Sequence, residues 1–516
     1  MLKNKATFNE ENEATLVQED DATLNEDQKE VVACRDKSTI VSASAGTGKT
    51  TTMIKRLLKM VVYDKVDLSK VVVVTFTKLA ANNMREKLAE KFMELSKKFA
   101  NTNQMEMLQR VVEQTEKLDN CAISTLHSFC ATLLRNYFHV VDIDPSFTML
   151  DDYALSNLKN KCIKKVLEDY YNADDEVFDK LFKIYATKRN DTNFVKEVLR
   201  LYEKSRTHVD FYQWYQDVRN SSLNFKGSKL ETEFNKMLSN ILQDLHKQWL
   251  HCADIGKQYG VNFYVEACQD WANLFSASPD NTFEQNFTIA RKYVEGCKKI
   301  SIPRSNENKW RKLVSDDVIA MLVGRYQDLK KESASKLNPY VDFEEGITYD
   351  QLLEQSAQMV VYIDKFMEVL QRFDDLFADE KRKMGVVDFN DLEHFALAIL
   401  KNQECNEEIR TQYPYIFVDE HQDTNPVQAE IIKQLAGDNV LFLVGDVKQS
   451  IYGFRGCTPQ NFVDSIKEFQ QDPNRKYVEL NQNYRSHKGI LNFVNVLMDG
   501  VMTEDFGGLD YNNTSM

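Results

Sequence analysis

Apolar and polar positions follow two regimes along this chain. Near both ends, short β-branched runs each finish in polar or small residues: "STIVSAS" (38–44), "KVVVVTFT" (70–77), "CAISTLHS" (121–128), "YIFVDE" (415–420), "VLFLVGD" (440–446) and "YVELN" (477–481). Apolar runs of four or five residues suit strands buried on both faces, as in a parallel sheet. Amphipathic stretches such as Thr51–Met60 and Leu79–Phe99 follow most of them, and strand alternating with helix predicts an α/β layered domain. From about 150 to 380 the rhythm changes. Leu155, Leu158, Cys162, Val166 and Tyr170 recur at helical spacing, and strand-like runs are scarce. This interval reads as a helical insertion between two halves of one sheet domain, its aromatics as core rather than base-stacking platforms. "SASPDNT" (276–282) and "IPRSNEN" (302–308) read as loops within it.

Composition narrows the class. With 43% hydrophobic and 28% charged residues in 516 positions, the chain is ordinary for a globular protein. No apolar run reaches the ~20 residues of a membrane helix, and no charged-then-apolar leader opens the chain, so a cytoplasmic protein is expected. Nine cysteines without a C-x-x-C pair point to free thiols rather than a metal cluster. The net charge of −14 weakens a nucleic-acid reading, but Glu10–Asp27 supplies eight carboxylates without a Lys or Arg. The segment 1–22 therefore reads as an acidic flexible arm, and a locally basic groove can coexist with it.

The strand ends carry the chemistry. "SASAGTGKTT" (42–51) joins a strand to a helix and is one residue short of G-x-x-x-x-G-K-[ST], with Ala43 at the first position. Here Ala43, Ser44, Ala45, Gly46, Thr47, Gly48 and Thr51 form the candidate phosphate loop. Gly46 and Gly48 let backbone N–H groups converge, Lys49 would reach β- and γ-phosphates, and Thr50 would ligate Mg²⁺. The bland alternative is a small-residue turn with a chance Lys-Thr. In "YIFVDEHQDTNPVQ" (415–428), Asp419 suits a Mg²⁺ contact and Glu420 the polarising of water; a solvated turn is the alternative. In "VGDVKQSIYGFRG" (444–456), Gln449 can donate to a γ-phosphate or to water. Tyr452, Phe454 and Arg455 have the makings of a single-strand groove, with a core role open for either aromatic. "LNQNYRS" (480–486) offers Arg485 for a phosphoryl charge and Tyr484 for stacking on a base.

These ordered blocks together resemble the UvrD/Rep-type superfamily 1 DNA helicases, and within them the AddA-like, RecB-like helicase–nuclease branch. The resemblance covers roughly 23–516, weakly across the insertion. In "LNEDQKEVV", Gln28 matches the adenine-reading glutamine, and Ala at the loop's first position is common in this family. "TFTKLAANNMREKL" is similar to the single-strand-binding block, placing Thr75, Phe76, Thr77 and Lys78 on DNA. "ISTLHSFCATLLR" resembles the block in which His127 and Ser128 lie near DNA or couple it to ATP. "DIDPSFTMLDD", "VVDFNDLEH" and "TEDFGGLDYNN" are similar to the AddA branch in particular. Three positions depart from the pattern: Lys78 stands for an Asn, His421 for a Tyr, and Gly453 for a frequent Arg. The histidine is expected to serve coupling geometry rather than catalysis.

The resemblance implies a RecA-like P-loop NTPase domain (23–150 and 381–487) interrupted by a helical insertion (151–380), with 488–516 starting a second motor region that is cut short. It implies ATP and Mg²⁺ as cofactors, 3′→5′ movement, and a place in double-strand-break repair. The implied partners are single-stranded and duplex DNA and an AddB-like nuclease subunit. The rival reading is a non-motor ATP- or DNA-binding or partner-docking fragment. Steady-state ATP hydrolysis with and without single-stranded DNA separates the two. Weak or no stimulation is expected of this chain, and a DNA-stimulated rate near that of a full helicase would contradict the expectation that a second motor domain is needed.

Overall fold

The computed structural model describes residues 23–186, 191–276, 281–299, 314–341, 348–502 and 511. The acidic arm, the loop at 302–308, most of 276–282 and nearly all of "TEDFGGLDYNN" lie outside the described residues. Among the described residues there are eight strands: β1 (Thr39–Ala43), β2 (Val71–Thr75), β3 (Ala122–Thr125), β4 (Thr148–Met149), β5 (Val386–Val387), β6 (Tyr415–Val418), β7 (Val440–Gly445) and β8 (Lys476–Leu480). Six form one sheet in the order β3-β2-β6-β7-β1-β8, with every pairing parallel. The short β4 and β5 pair separately, also in parallel. This is the α/β, RecA-like architecture with a large helical insertion.

Alternation along each strand sends side chains to two helical layers. Val71 and Val73 join Val41, Phe417, Phe442 and Val444 under the helices Lys49–Val62, Lys78–Asn101 and Met105–Lys117. Val72 and Val74 join Ile40, Ile416, Val418 and Leu443 under Leu126–Asn136, Phe389–Lys401, Pro426–Ala436 and Pro459–Gln471. Both faces are apolar, so the polar groups of these segments collect at the strand ends. The helices run slightly longer than their sequence patterns: the first begins at Lys49 and the second at Lys78. The run 121–128 divides, with a strand to Thr125 and a helix from Leu126 capped by the Thr125 hydroxyl, so His127 and Ser128 stand on a helical first turn.

The described residues form two compact units, the first drawn from 1–165, 199–209 and 373–516, the second from 166–198 and 210–372. Leu199–Val209 belongs with the first unit although it lies well inside 151–380. Tyr202 packs edge-on to Phe373 and Phe377, and Arg206 reaches Asp374 (3.6 Å) and Asp391 (3.9 Å). The second unit is helical and has its own aromatic core. Trp249, Tyr264, Tyr293 and Tyr326 are fully buried there, with Trp249 donating to the Ser333 hydroxyl and Trp271 to the Tyr326 hydroxyl. These aromatics are core, as their spacing implied. The eight described cysteines are free. Among the described residues no helix is long and apolar enough to cross a membrane.

Trp249 is 0% exposed, so truncation leaves a cavity that the surrounding helices fill only in part. Trp249→Ala is expected to destabilise the helical unit by about 3–5 kcal/mol. Urea unfolding followed by circular dichroism checks this; an unchanged midpoint contradicts it.

Candidate nucleotide and nucleic-acid site

Because the six strands are parallel, their C-terminal ends open on one edge, where β1 delivers the glycine loop. Ala43 is the last residue of that strand and is fully buried, a position where a Cβ is accommodated. Gly46 (φ +75°) and Gly48 (φ +86°) are left-handed, and a Cβ at Gly46 would stand 2.8 Å from that of Arg485. Glycine is therefore required twice, for conformation and for approach. The Thr47 hydroxyl and N–H both turn back to the Ser44 carbonyl (2.8 and 3.4 Å). The following helix starts at Lys49 with no side chain capping it. Its first N–H groups are therefore available to an anion, favoured there by the helix dipole.

Two segments clamp the loop from outside. Gln28 is buried; its amide donates to the Thr47 carbonyl (2.9 Å) and accepts from the Asn25 N–H (3.1 Å). After β8, Asn483 donates to the Ala45 carbonyl (2.6 Å) and the Tyr484 N–H to the Gly46 carbonyl (2.8 Å). The Tyr484 ring is 56% exposed, its hydroxyl donating to Gln482, and Arg485 is exposed beside Gly46. Gln28, Tyr484 and Arg485 thus gather at the loop, with Gln28 engaged in holding its shape.

The carboxylates arrive from β6. Asp419 N–H closes the strand by donating to the Val74 carbonyl (2.9 Å). Glu420 adopts φ +53°, a left-handed conformation that a non-glycine residue holds only at a cost. That turn brings its Oε2 to Lys49 Nζ at 3.1 Å, 371 positions away in sequence. Gln422 donates to Glu420 (2.8 Å) and accepts from the Asp446 N–H (2.9 Å). Asp446, itself buried, receives Gln449 (2.6 Å) and lies 3.5 Å from Lys448, whose Nζ donates to Ser44 (3.0 Å). A ring of polar contacts therefore runs from Lys49 through the ends of β6 and β7 back to the loop. Sequence reasoning missed Gln422, Asp446 and Lys448. All three stand in the quoted blocks, but their function depends on the β6–β7 pairing.

Asp419 and Asp423 are pushed up to about 6, first by burial and then by the charge of Glu420. A hard, oxygen-only set of Asp419 and the half-buried Thr50 hydroxyl fits Mg²⁺, which takes one or two protein oxygens and completes its shell with water and phosphate. No cluster of three or more His, Cys, Asp or Glu arranged for a metal occurs among the described residues. His421 is buried, and burial depresses its pKa to about 4. It is neutral at physiological pH, with its ring edge against Phe462.

Beyond the carboxylates lies a cleft of about 520 Å³, lined among others by Phe76, His127, Phe389, Glu420, Asp423 and Arg455. Phe76, at the end of β2, meets Tyr452 at 4.5 Å, and Tyr452 meets Phe454 at 5.8 Å. The Arg455 guanidinium lies over both tyrosine and phenylalanine (5.4 and 5.8 Å). Phe454 is 80% exposed, which removes the core alternative for it. Lys78 is also exposed. The two threonines of that block sit differently. Thr75 is buried with its hydroxyl on the Thr77 carbonyl, while Thr77 is exposed and its hydroxyl caps the next helix.

The profile of the UvrD/REP helicase N-terminal domain matches residues 24–302 and 280–470. The chain is 31% identical over 503 residues to the A subunit of the ATP-dependent helicase/nuclease of Syntrophomonas wolfei subsp. wolfei, covering 95% of this chain and 39% of the relative. Proteins of the same name from Staphylococcus haemolyticus and Clostridium acetobutylicum are each 30% identical, over 92% and 95% of this chain and 39% and 40% of theirs. The chain thus spans about two fifths of the length of these curated relatives.

The acidic cluster has a consequence for stability. Asp419 holds its proton up to about pH 6 when folded but only to about 3.9 when unfolded. The folded state binds more protons between those values, and stability falls as pH rises through that window. Asp419→Asn is expected to raise the thermal midpoint at pH 7.5, with the gain shrinking as pH falls and closing only by about pH 4. A gain equal at both pH values contradicts this.

Proposed function

The chain belongs to the UvrD/REP helicase N-terminal domain family, and on that premise we propose that it binds ATP with Mg²⁺ at the β1 loop and single-stranded DNA across the ends of β2 and β7, as the ATP-dependent motor unit of a DNA helicase. The observation that carries this is the Lys49–Glu420 ion pair beside an uncapped helix N-terminus and a doubly glycine-dependent turn. Lys49 exchanges Glu420 for phosphate oxygens when nucleotide enters, and Glu420, released, orients the attacking water. Thr50 and Asp419 would hold Mg²⁺, which supplies charge neutralisation at the phosphates. Gln449, now on Asp446, and Arg485, beside Gly46, are placed to follow the terminal phosphate. Tyr484 offers its exposed ring to the base.

On the nucleic-acid side, Phe76, Tyr452 and Phe454 form a stacking platform with Arg455, and Lys78 supplies a further cation. Stacking on such platforms tolerates sequence. The name shared by the relatives supports a finer reading, the helicase portion of an ATP-dependent helicase/nuclease A subunit, and the motif resemblance extends the proposal to work at DNA breaks in the 3′→5′ sense beside an AddB-like partner.

Binding of a fluorescent ATP analogue with Mg²⁺, and of oligo(dT) across a salt series, tests the reading. Oligo(dT) affinity should fall with salt at a slope of about −0.7 per phosphate contacted. Phe454→Ala should weaken it by about 1–3 kcal/mol, the worth of one stacked base, while nucleotide affinity holds. Salt-independent binding, or an unaffected Phe454→Ala variant, contradicts the groove.

A further inference from the structure

Glu393 belongs to the segment "VVDFNDLEH", which neither the nucleotide site nor the aromatic platform uses. It is 3% exposed on the helix Phe389–Lys401 and accepts three hydrogen bonds: His127 Nε2 (2.9 Å) and Gln428 Nε2 (2.6 Å) on Oε1, and Asn425 Nδ2 (2.9 Å) on Oε2. Burial pushes its carboxyl up, but the donors His127, Asn425 and Gln428 outweigh burial and hold it below the usual range.

None of the three donors is free to reverse. Asn425 and Gln428 form a reciprocal capping box on the helix Pro426–Ala436: Asn425 Oδ1 accepts the Gln428 N–H (2.8 Å), and Gln428 Oε1 accepts the Asn425 N–H (3.3 Å). With both amide oxygens engaged, both NH₂ groups must face Glu393, where only a carboxylate accepts on each oxygen. His127 faces the same acceptor-only group, which places its proton on Nε2 and leaves Nδ1 as the other ring nitrogen. The ring is further fixed edge-on to Phe389 at 4.9 Å.

The three donors come from two functional edges. His127 starts the helix after β3 and lines the cleft. Asn425 directly follows the Glu420–Thr424 turn, where the Thr424 hydroxyl donates to the His421 carbonyl (2.8 Å) and the Thr424 carbonyl accepts Asn461 (3.2 Å). We infer that Glu393 is a positioning residue that locks the cleft-lining His127 to the turn carrying Glu420, so that DNA in the cleft and nucleotide at the loop sense one another. This rests on the proposed function, since it presupposes both ligands.

Reciprocity makes the coupling measurable at equilibrium: the factor by which oligo(dT) changes affinity for an Mg²⁺-bound fluorescent ATP analogue equals the reverse factor. Wild type is expected to show a factor of about 5 or more. In Glu393→Gln one acceptor oxygen becomes a donor facing an amide that cannot turn. Each separate affinity should stay within about twofold of wild type, while the factor falls towards one. Glu393→Gln/Asn425→Asp restores every hydrogen bond, with the new amide donating to the new carboxylate, and should recover the factor. His127→Gln, altered on the half-exposed side, should lose it with the fold intact and carries the test should the buried substitution fail to fold. An unchanged factor in a folded Glu393→Gln or His127→Gln protein overturns the inference alone, as does wild type binding both ligands independently. Wild type that binds neither ligand overturns the proposed function and this inference with it.

Discussion

Parallel pairing of β2, β6, β7 and β1 is the constraint on which the rest of the molecule depends. Parallel neighbours cannot be joined by a tight hairpin, so each strand returns through a helix or a longer excursion. Every C-terminal end then opens on one edge, and segments hundreds of residues apart meet there. Lys49 and Glu420 are adjacent only because β1, β7 and β6 lie side by side in register, Val41 against Val444 and Phe417 against Phe442. Both sheet faces are filled with Val, Ile, Leu and Phe. Side chains that carry charge have one place to go.

The resulting edge is held under electrostatic and backbone strain. Glu420 keeps a left-handed conformation, and Asp419 and Asp423 are carboxyls raised by burial and by Glu420. Lys49 offsets part of that repulsion, and Gln422 links Glu420 to Asp446 through one amide used as both donor and acceptor. On the proposed reading, a site in this condition is prepared for a polyanion carrying its own cation: phosphate oxygens would satisfy Lys49 and the helix N-terminus, and the cation would relieve Asp419.

Legibility in the sequence varied with the range of the interaction. Local signals survived: the strand runs, the glycine loop and the Asp-Glu pair at a strand end each stand where their neighbours in sequence place them. Positions decided by capping or burial did not. The turn after β2 uses the Thr75 and Thr77 hydroxyls in its own hydrogen bonds, and His127 moves from a strand to a helical first turn because Thr125 caps there. Glu393 had no chemical signal in sequence, since a lone glutamate on an amphipathic helix is ordinarily solvated. Its meaning comes from two amides oriented by a capping box 32 and 35 positions further along the chain.

The linear pattern was enough for the α/β class, the helical character of the middle of the chain, the phosphate loop with its two glycines, and the family. These rest on periodicity and on contiguous motifs, whose physics acts over a few residues. Folding was needed to show that Leu199–Val209 packs with the sheet unit, that Phe76 stacks with Tyr452, that Lys49 faces Glu420, and that Glu393 collects three donors. Each of those contacts follows from strand order and from the geometry of buried hydrogen bonds. A linear pattern contains neither until the chain has closed on itself.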